Sequence, residues 1–172
     1  PRSAIKVLQA LPLVESGAAD RFGLTDAELA LACASHDGEA AHVQTAASML
    51  SKAGLDERAL ECGTHWPYNE AAKLALAGAG AMPSALHNNC SGKHVAFLAL
   101  AKHLGVAPEH YLDPESAGQV LVRRALAELT GVPEHALVPG IDGCSAPTYR
   151  LSLRALATAF ARLANPAGLA PA

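Results

Sequence analysis

Apolar positions recur at helical spacing along most of this chain. Across Cys90–Leu104, the residues Lys93, Phe97, Leu100 and Leu104 share one stripe on a 3.6-residue period, with Cys90 one turn earlier on that face. The same period gathers Val43, Ala46, Ala47 and Leu50 in a helix from about Glu39 to Ala53, stopped by Gly54. It gathers Gly118, Leu121, Val122, Ala125 and Leu129 in a long helix that Asp113-Pro114 opens and Gly131 ends. Leu153, Leu156, Ala157, Phe160 and Leu163 form the face of a last helix capped by Ser152. Two more helices announce themselves by their starts. Thr25-Asp26-Ala27-Glu28 is a capping box for a helix through Cys33, and Asn69 caps an alanine-rich helix ending near Gly78. Strand patterning is confined to Leu137-Val138 and Tyr149-Arg150-Leu151, around the turn Pro139-Gly140-Ile141-Asp142-Gly143. The pattern predicts a mostly α chain, one helical domain over residues 1–172, whose sheet is largely absent. Pro1-Arg2-Ser3 and Asn165-Pro166-Ala167-Gly168 both read as cuts in a longer protein.

Composition narrows the partners. With 13 basic and 16 acidic residues, a net charge of −3 and no run of like charge, neither nucleic acid nor an anionic membrane surface is expected. No apolar stretch reaches the roughly 18 residues of a membrane span. Four cysteines, Cys33, Cys62, Cys90 and Cys144, are too sparse for a disulfide scaffold and favour a reducing, cytoplasmic setting.

Three segments carry chemistry. Ser3-Ala4-Ile5-Lys6 is an S-x-x-K, in which a helical turn brings the amine to the hydroxyl; it is also a common chance pattern. Ser35-His36-Asp37-Gly38-Glu39 packs a hydroxyl, an imidazole and two carboxylates before a helix start; as a plain loop it would let Asp37 or Gly38 cap that helix. Lys93, on an apolar face, must be paired or give up its proton. With Cys90 and with Cys144, in the turn before Ala146-Pro147, it offers two sulfurs and a nitrogen, a set that suits Zn²⁺. Two ordinary buried cysteines and a lysine reaching past the core to water would produce the same residues. Glu61-Cys62-Gly63-Thr64-His65-Trp66-Pro67 is unusual in composition but suggests no mechanism.

Taken together, Arg2–Lys6, Ser35–Glu39 with His42, Asn88–His94, and Gly140–Cys144 with Ala146-Pro147 resemble the bacterial asparaginases of the Rhizobium etli inducible type. The resemblance runs over essentially the whole chain and implies the helical portion of an α/β serine β-lactamase-like fold. It implies hydrolysis of L-asparagine to L-aspartate and ammonia, with Ser3 and Ser35 as active-site serines and Lys6 paired to Ser3. It further implies that Cys90, Lys93 and Cys144 bind zinc, that Arg2, His94 and Asp142 line the substrate site, and that the enzyme is a homodimer. Members of that family are longer, and their outer segments supply the sheet and a further active-site lysine that nothing here replaces. Two alternatives share parts of the pattern. One is a penicillin-binding or β-lactamase-like serine hydrolase, although no S-D-N or K-T-G segment is present. The other is a non-catalytic, zinc-binding helical interaction module.

Overall fold

The computed structural model describes residues 1–165 and Ala167. Its helices are α1 (Lys6–Glu15), α2 (Ala18–Arg21), α3 (Asp26–Ala32), α4 (Ala40–Lys52), α5 (Glu70–Gly78), α6 (Ser91–His103), α7 (Ala117–Thr130) and α8 (Leu153–Ala164). An antiparallel hairpin, β1 (Val138–Ile141) with β2 (Pro147–Arg150), pairs Val138 with Arg150 and Ile141 with Pro147. Among the described residues this hairpin is the whole sheet, so the expected mostly α architecture is what the chain forms. No described helix is long and apolar enough to cross a membrane.

The organising element is α6. The sequence pattern predicted one apolar stripe, but every residue from Ser91 to Ala101 is buried, so the helix is enclosed on all sides. Helices α1, α2, α3, α4 and α7 all pack on it. Small residues make that enclosure possible. A Cβ added at Gly92 would drive into the carbonyl of Leu31, so α3 and α6 touch backbone to side-chainless backbone there. Ile5, Leu8 and Leu13 from α1, Met49 and Leu50 from α4, and Val122 and Leu126 from α7 complete the core around Phe97, Leu98 and Leu100.

Local signals were read well at most helix starts. The Thr25–Glu28 capping box forms in both directions, and Asn69 and Ser152 accept the expected amides of Ala72 and Ala155. Three expectations are corrected. The long helix does not start at Asp113-Pro114. Asp113 instead spends its carboxylate on the Glu115 amide (2.9 Å) and its carbonyl on the Ser116 amide (2.9 Å), which closes a turn, and Ser116 becomes the cap of α7. The stripe of α8 faces inward only in part: Leu156 and Leu163 pack on the core beside Ala155 and Ala159, whereas Leu153 and Phe160 are 85% and 40% exposed. Helix α4 has Glu39 as its cap position without a side-chain cap bond, so neither Asp37 nor Gly38 plays that part.

The hairpin is tied to the start of the chain. Gln9 of α1 donates to the Pro147 carbonyl (3.2 Å) and Thr148 donates to the Pro1 carbonyl (3.1 Å). This docking carries the β1–β2 turn over the N-terminus of α6.

Candidate functional site

Lys6 opens α1 and is wholly buried, yet its ammonium nitrogen finds three oxygen acceptors. They are the Ala34 carbonyl at 2.9 Å, Ser35 Oγ at 2.8 Å and the Asn89 carbonyl at 3.3 Å. Burial lowers the Lys6 amine from its ordinary value, and the nearby Lys93 adds to the effect. The two carbonyls can only accept, so in the neutral amine both remaining protons go to them. The lone pair then faces Ser35 Oγ–H, the arrangement a general base needs. Ser35 is exposed, so its hydroxyl bridges a buried amine and solvent.

Ser3, the other serine of interest, lies exposed in the short 3-10 turn Ser3–Ile5 that leads into α1. Among the described residues the acceptors of Lys6 Nζ do not include Ser3 Oγ. The S-x-x-K spacing therefore places Ser3 one turn ahead of the lysine, while the amine itself is delivered to Ser35.

Across from this pair lies the β1–β2 turn. Its backbone is closed by the Asp142 amide on the Ala146 carbonyl (2.9 Å) and the Ser145 amide on the Asp142 carbonyl (2.9 Å), with Ser145 at a positive φ of 70°. The turn buries Asp142 and Cys144 together. Arg2 donates its Nε–H to Asp142 Oδ1, while the Gly143 amide donates to the same oxygen at 2.7 Å. Gly143 lets the Arg2 guanidinium lie close over the turn: a Cβ there would stand 2.8 Å from it and displace the end of that side chain. Burial alone would push the Asp142 carboxyl up; the Arg2 hydrogen bond, the Gly143 amide and Lys93 outweigh it and hold it low.

Lys93 projects from α6 into this turn. It donates to Cys144 Sγ at 3.2 Å and lies 3.6 Å from Asp142 Oδ2, so the buried ammonium is paired rather than isolated. Cys90, Asp142 and Cys144 each offer a ligand atom within 4.8 Å of the others. Of the two thiols, Cys144 is held low by its hydrogen bond with Cys90, helped by His94 and Lys93, while Cys90 is held high by that same bond and by burial. A thiolate poised beside a second thiol and an amine is a donor set of the softness that suits Zn²⁺, and the residues present fit that ion. Asp142 joins the cluster that the sequence reading had limited to the two cysteines and the lysine.

His94 follows Lys93 on α6 and is buried against Tyr111, whose hydroxyl lies 2.7 Å from Nδ1. Tyr111 Oη also accepts the Glu61 amide (2.8 Å), which ties His94 to the loop after α4. Burial lowers the His94 imidazole from its ordinary value. Sequence reasoning missed Tyr111, the Asn89 carbonyl and Ser91, because a carbonyl or a lone tyrosine in a turn carries no pattern. The odd segment Glu61–Pro67 finds a role here. Asn88 Nδ2 donates to the Cys62 carbonyl (2.8 Å), and the Asn89 amide donates to His65 Nε2 (2.9 Å), so this loop braces the residues just before Cys90. Trp66, in the same loop, is half-buried.

The site thus joins Arg2 to Asp142, Lys6 to Ser35, and Lys93 to Cys144 around the start of α6. A search of curated proteins gave no match to the chain. The family model described as L-asparaginase II matches residues 1–171, and the chain belongs to that family.

Proposed function

From membership of the L-asparaginase II family, we propose that the protein hydrolyses the side-chain amide of L-asparagine to L-aspartate and ammonia, as the Rhizobium etli-type enzymes do. The observation that carries this reading is the buried Lys6 amine, held by two carbonyls and presented to the exposed Ser35 hydroxyl at 2.8 Å.

Ser35 Oγ attacks the amide carbon while its proton passes to Lys6 Nζ. Collapse of the tetrahedral intermediate breaks the C–N bond, and the Lys6 ammonium returns that proton to the departing nitrogen, which leaves as ammonia. Water then attacks the ester and gives a proton to Lys6; Ser35 Oγ recovers one as L-aspartate is released. Arg2, with a largely exposed side chain anchored on Asp142, turns its remaining N–H groups to solvent, where a substrate α-carboxylate docks. In this reading Ser3, one residue after Arg2, and His94 are further residues of the substrate site.

Zinc belongs to this reading as the ion held by Cys90, Lys93 and Cys144, with Lys93 as the neutral amine. When bound, it supplies a fixed positive charge and a Lewis-acidic position beside Asp142. Lys93 and the two cysteines keep the β1–β2 turn on α6 and so keep Arg2 in place. The serine β-lactamase-like fold, a homodimer and a cytoplasmic setting complete the proposal. The test is release of ammonia from L-asparagine by the full-length protein with metal supplied. A flat trace sinks the asparaginase reading. A covalent adduct with fluorescent penicillin would instead favour the penicillin-binding kind of hydrolase.

A further inference from the structure

The residue after Ser35 is buried, unlike Ser35 itself, and its bonding has one direction. The Gly38 amide, which can only donate, gives its proton to His36 Nδ1 at 3.2 Å. His36 therefore carries its ring proton on Nε2 and donates it to Ser91 Oγ, 2.8 Å away. Ser91 in turn donates to the Leu86 carbonyl at 3.0 Å. The His36 backbone amide donates to the Asn89 carbonyl (3.2 Å), the same oxygen that receives Lys6 Nζ (3.3 Å). The loop has no helix or strand to stiffen it, yet Gly38 sits at a φ of +77° with room for no Cβ, since one would lie 3.0 Å from Pro67 Cα.

We infer that His36 is a positioning residue for Ser35: its ring and its amide clamp the Ser35 loop onto the first turn of α6 through Ser91 and Asn89. The clamp sets the distance between Ser35 Oγ and Lys6 Nζ. The catalytic half of this inference rests on the function proposed above, whereas the clamp itself does not.

The test uses the full-length protein. Ser91→Ala and His36→Leu should each lower kcat by about tenfold or more while KM stays within about twofold, because the nucleophile loses its placement and the substrate contacts remain. His36→Gln, which keeps an N–H donor toward Ser91, should recover most of the loss. The double variant His36→Leu/Ser91→Ala should be no worse than His36→Leu. Unchanged kcat per folded molecule in Ser91→Ala, with only the melting temperature reduced, overturns the positioning role; that variant decides the matter should His36→Leu fail to fold. In the wild type, ¹⁵N-histidine NMR should show His36 in the Nε2–H tautomer, and the Nδ1–H tautomer overturns the clamp. If the wild type releases no ammonia from L-asparagine, the proposed function fails, and the NMR tautomer alone decides the clamp.

Discussion

Lys6 Nζ and Ser35 Oγ lie 2.8 Å apart although 29 residues separate them. The contact depends on α1 and the loop after α3 meeting over the start of α6. Replacing Ser35 by Ala or Lys6 by Met should each lower kcat by about 10²–10⁴-fold, the usual worth of a positioned base and its nucleophile. Lys6→Arg should not rescue, because a guanidinium keeps its proton. Ser3→Ala should cost less than either. Ammonia release measured on folded, purified variants checks the order, and a larger loss in Ser3→Ala than in Ser35→Ala would reverse the assignment of the nucleophile.

The metal set makes a separate claim. Cys144→Ala removes the thiol that Cys90, His94 and Lys93 hold low, so zinc content should fall to background by elemental analysis. Cys90→Ala should weaken binding in the same direction. Zinc content unchanged in Cys144→Ala would count decisively against the site.

Acid should destabilise the fold in two windows. Burial and the neighbouring His42 and Lys6 lower the His36 imidazole from 6.5 to about 4. Unfolded chains then take up a proton first, so stability declines as pH falls from 6.5 toward 4. Glu28 behaves as a depressed carboxylate. Burial would raise it, but Lys52, the Thr25 amide and Ser48 bring it down to about 2. Its contribution is present above 4.5 and lost as pH falls through about 2. His36→Gln should lessen the decline in the first window, to which the lowered His94 also contributes, and Glu28→Gln that in the second, to which Asp142 contributes, in melting curves taken at stepped pH. Glu28→Gln should also cost about 1–3 kcal/mol at neutral pH, since Lys52 loses its partner at 2.6 Å.

Gly92→Ala is expected to be the most disruptive methyl in the molecule. The added carbon would overlap the Leu31 carbonyl, so α3 and α6 must part, at a cost of about 1–3 kcal/mol or more. Denaturant melts of the variant against wild type measure it. A shift smaller than that of Gly118→Ala, where a Cβ would have ordinary contacts of 3.6 Å with Leu100, would contradict the close approach.

Helix content was legible because caps and 3.6-residue periods are local signals. Thr25, Asn69 and Ser152 act where they were expected. What failed was anything set by neighbours. The stripe through Lys93 and Phe97 looked like one face because it is apolar, but Gly92, Ala96, Ala99 and Ala101 let helices close on the remaining sides. Ser116 replaced Asp113 as a cap because Asp113 could satisfy its own turn first. In the site, residue types were readable and pairings were not. Ser3 was the obvious partner of Lys6 by spacing, whereas the Ala34 and Asn89 carbonyls that orient the amine are invisible to any motif.

Three consecutive residues at the head of α6 answer to three different partners. Asn89 gives its carbonyl to Lys6 and His36, Cys90 gives its sulfur to the cluster with Cys144, and Ser91 receives the His36 proton. Below them the helix is sealed into the core on every side. A rigid-body shift of α6 of even a fraction of an ångström is therefore shared by the serine, the thiols and the packing together. Directed evolution toward other amides has little freedom in this tripeptide. The productive positions are those with no side-chain bond to this tripeptide, such as the half-buried Trp66, where a side chain can change size without moving the helix.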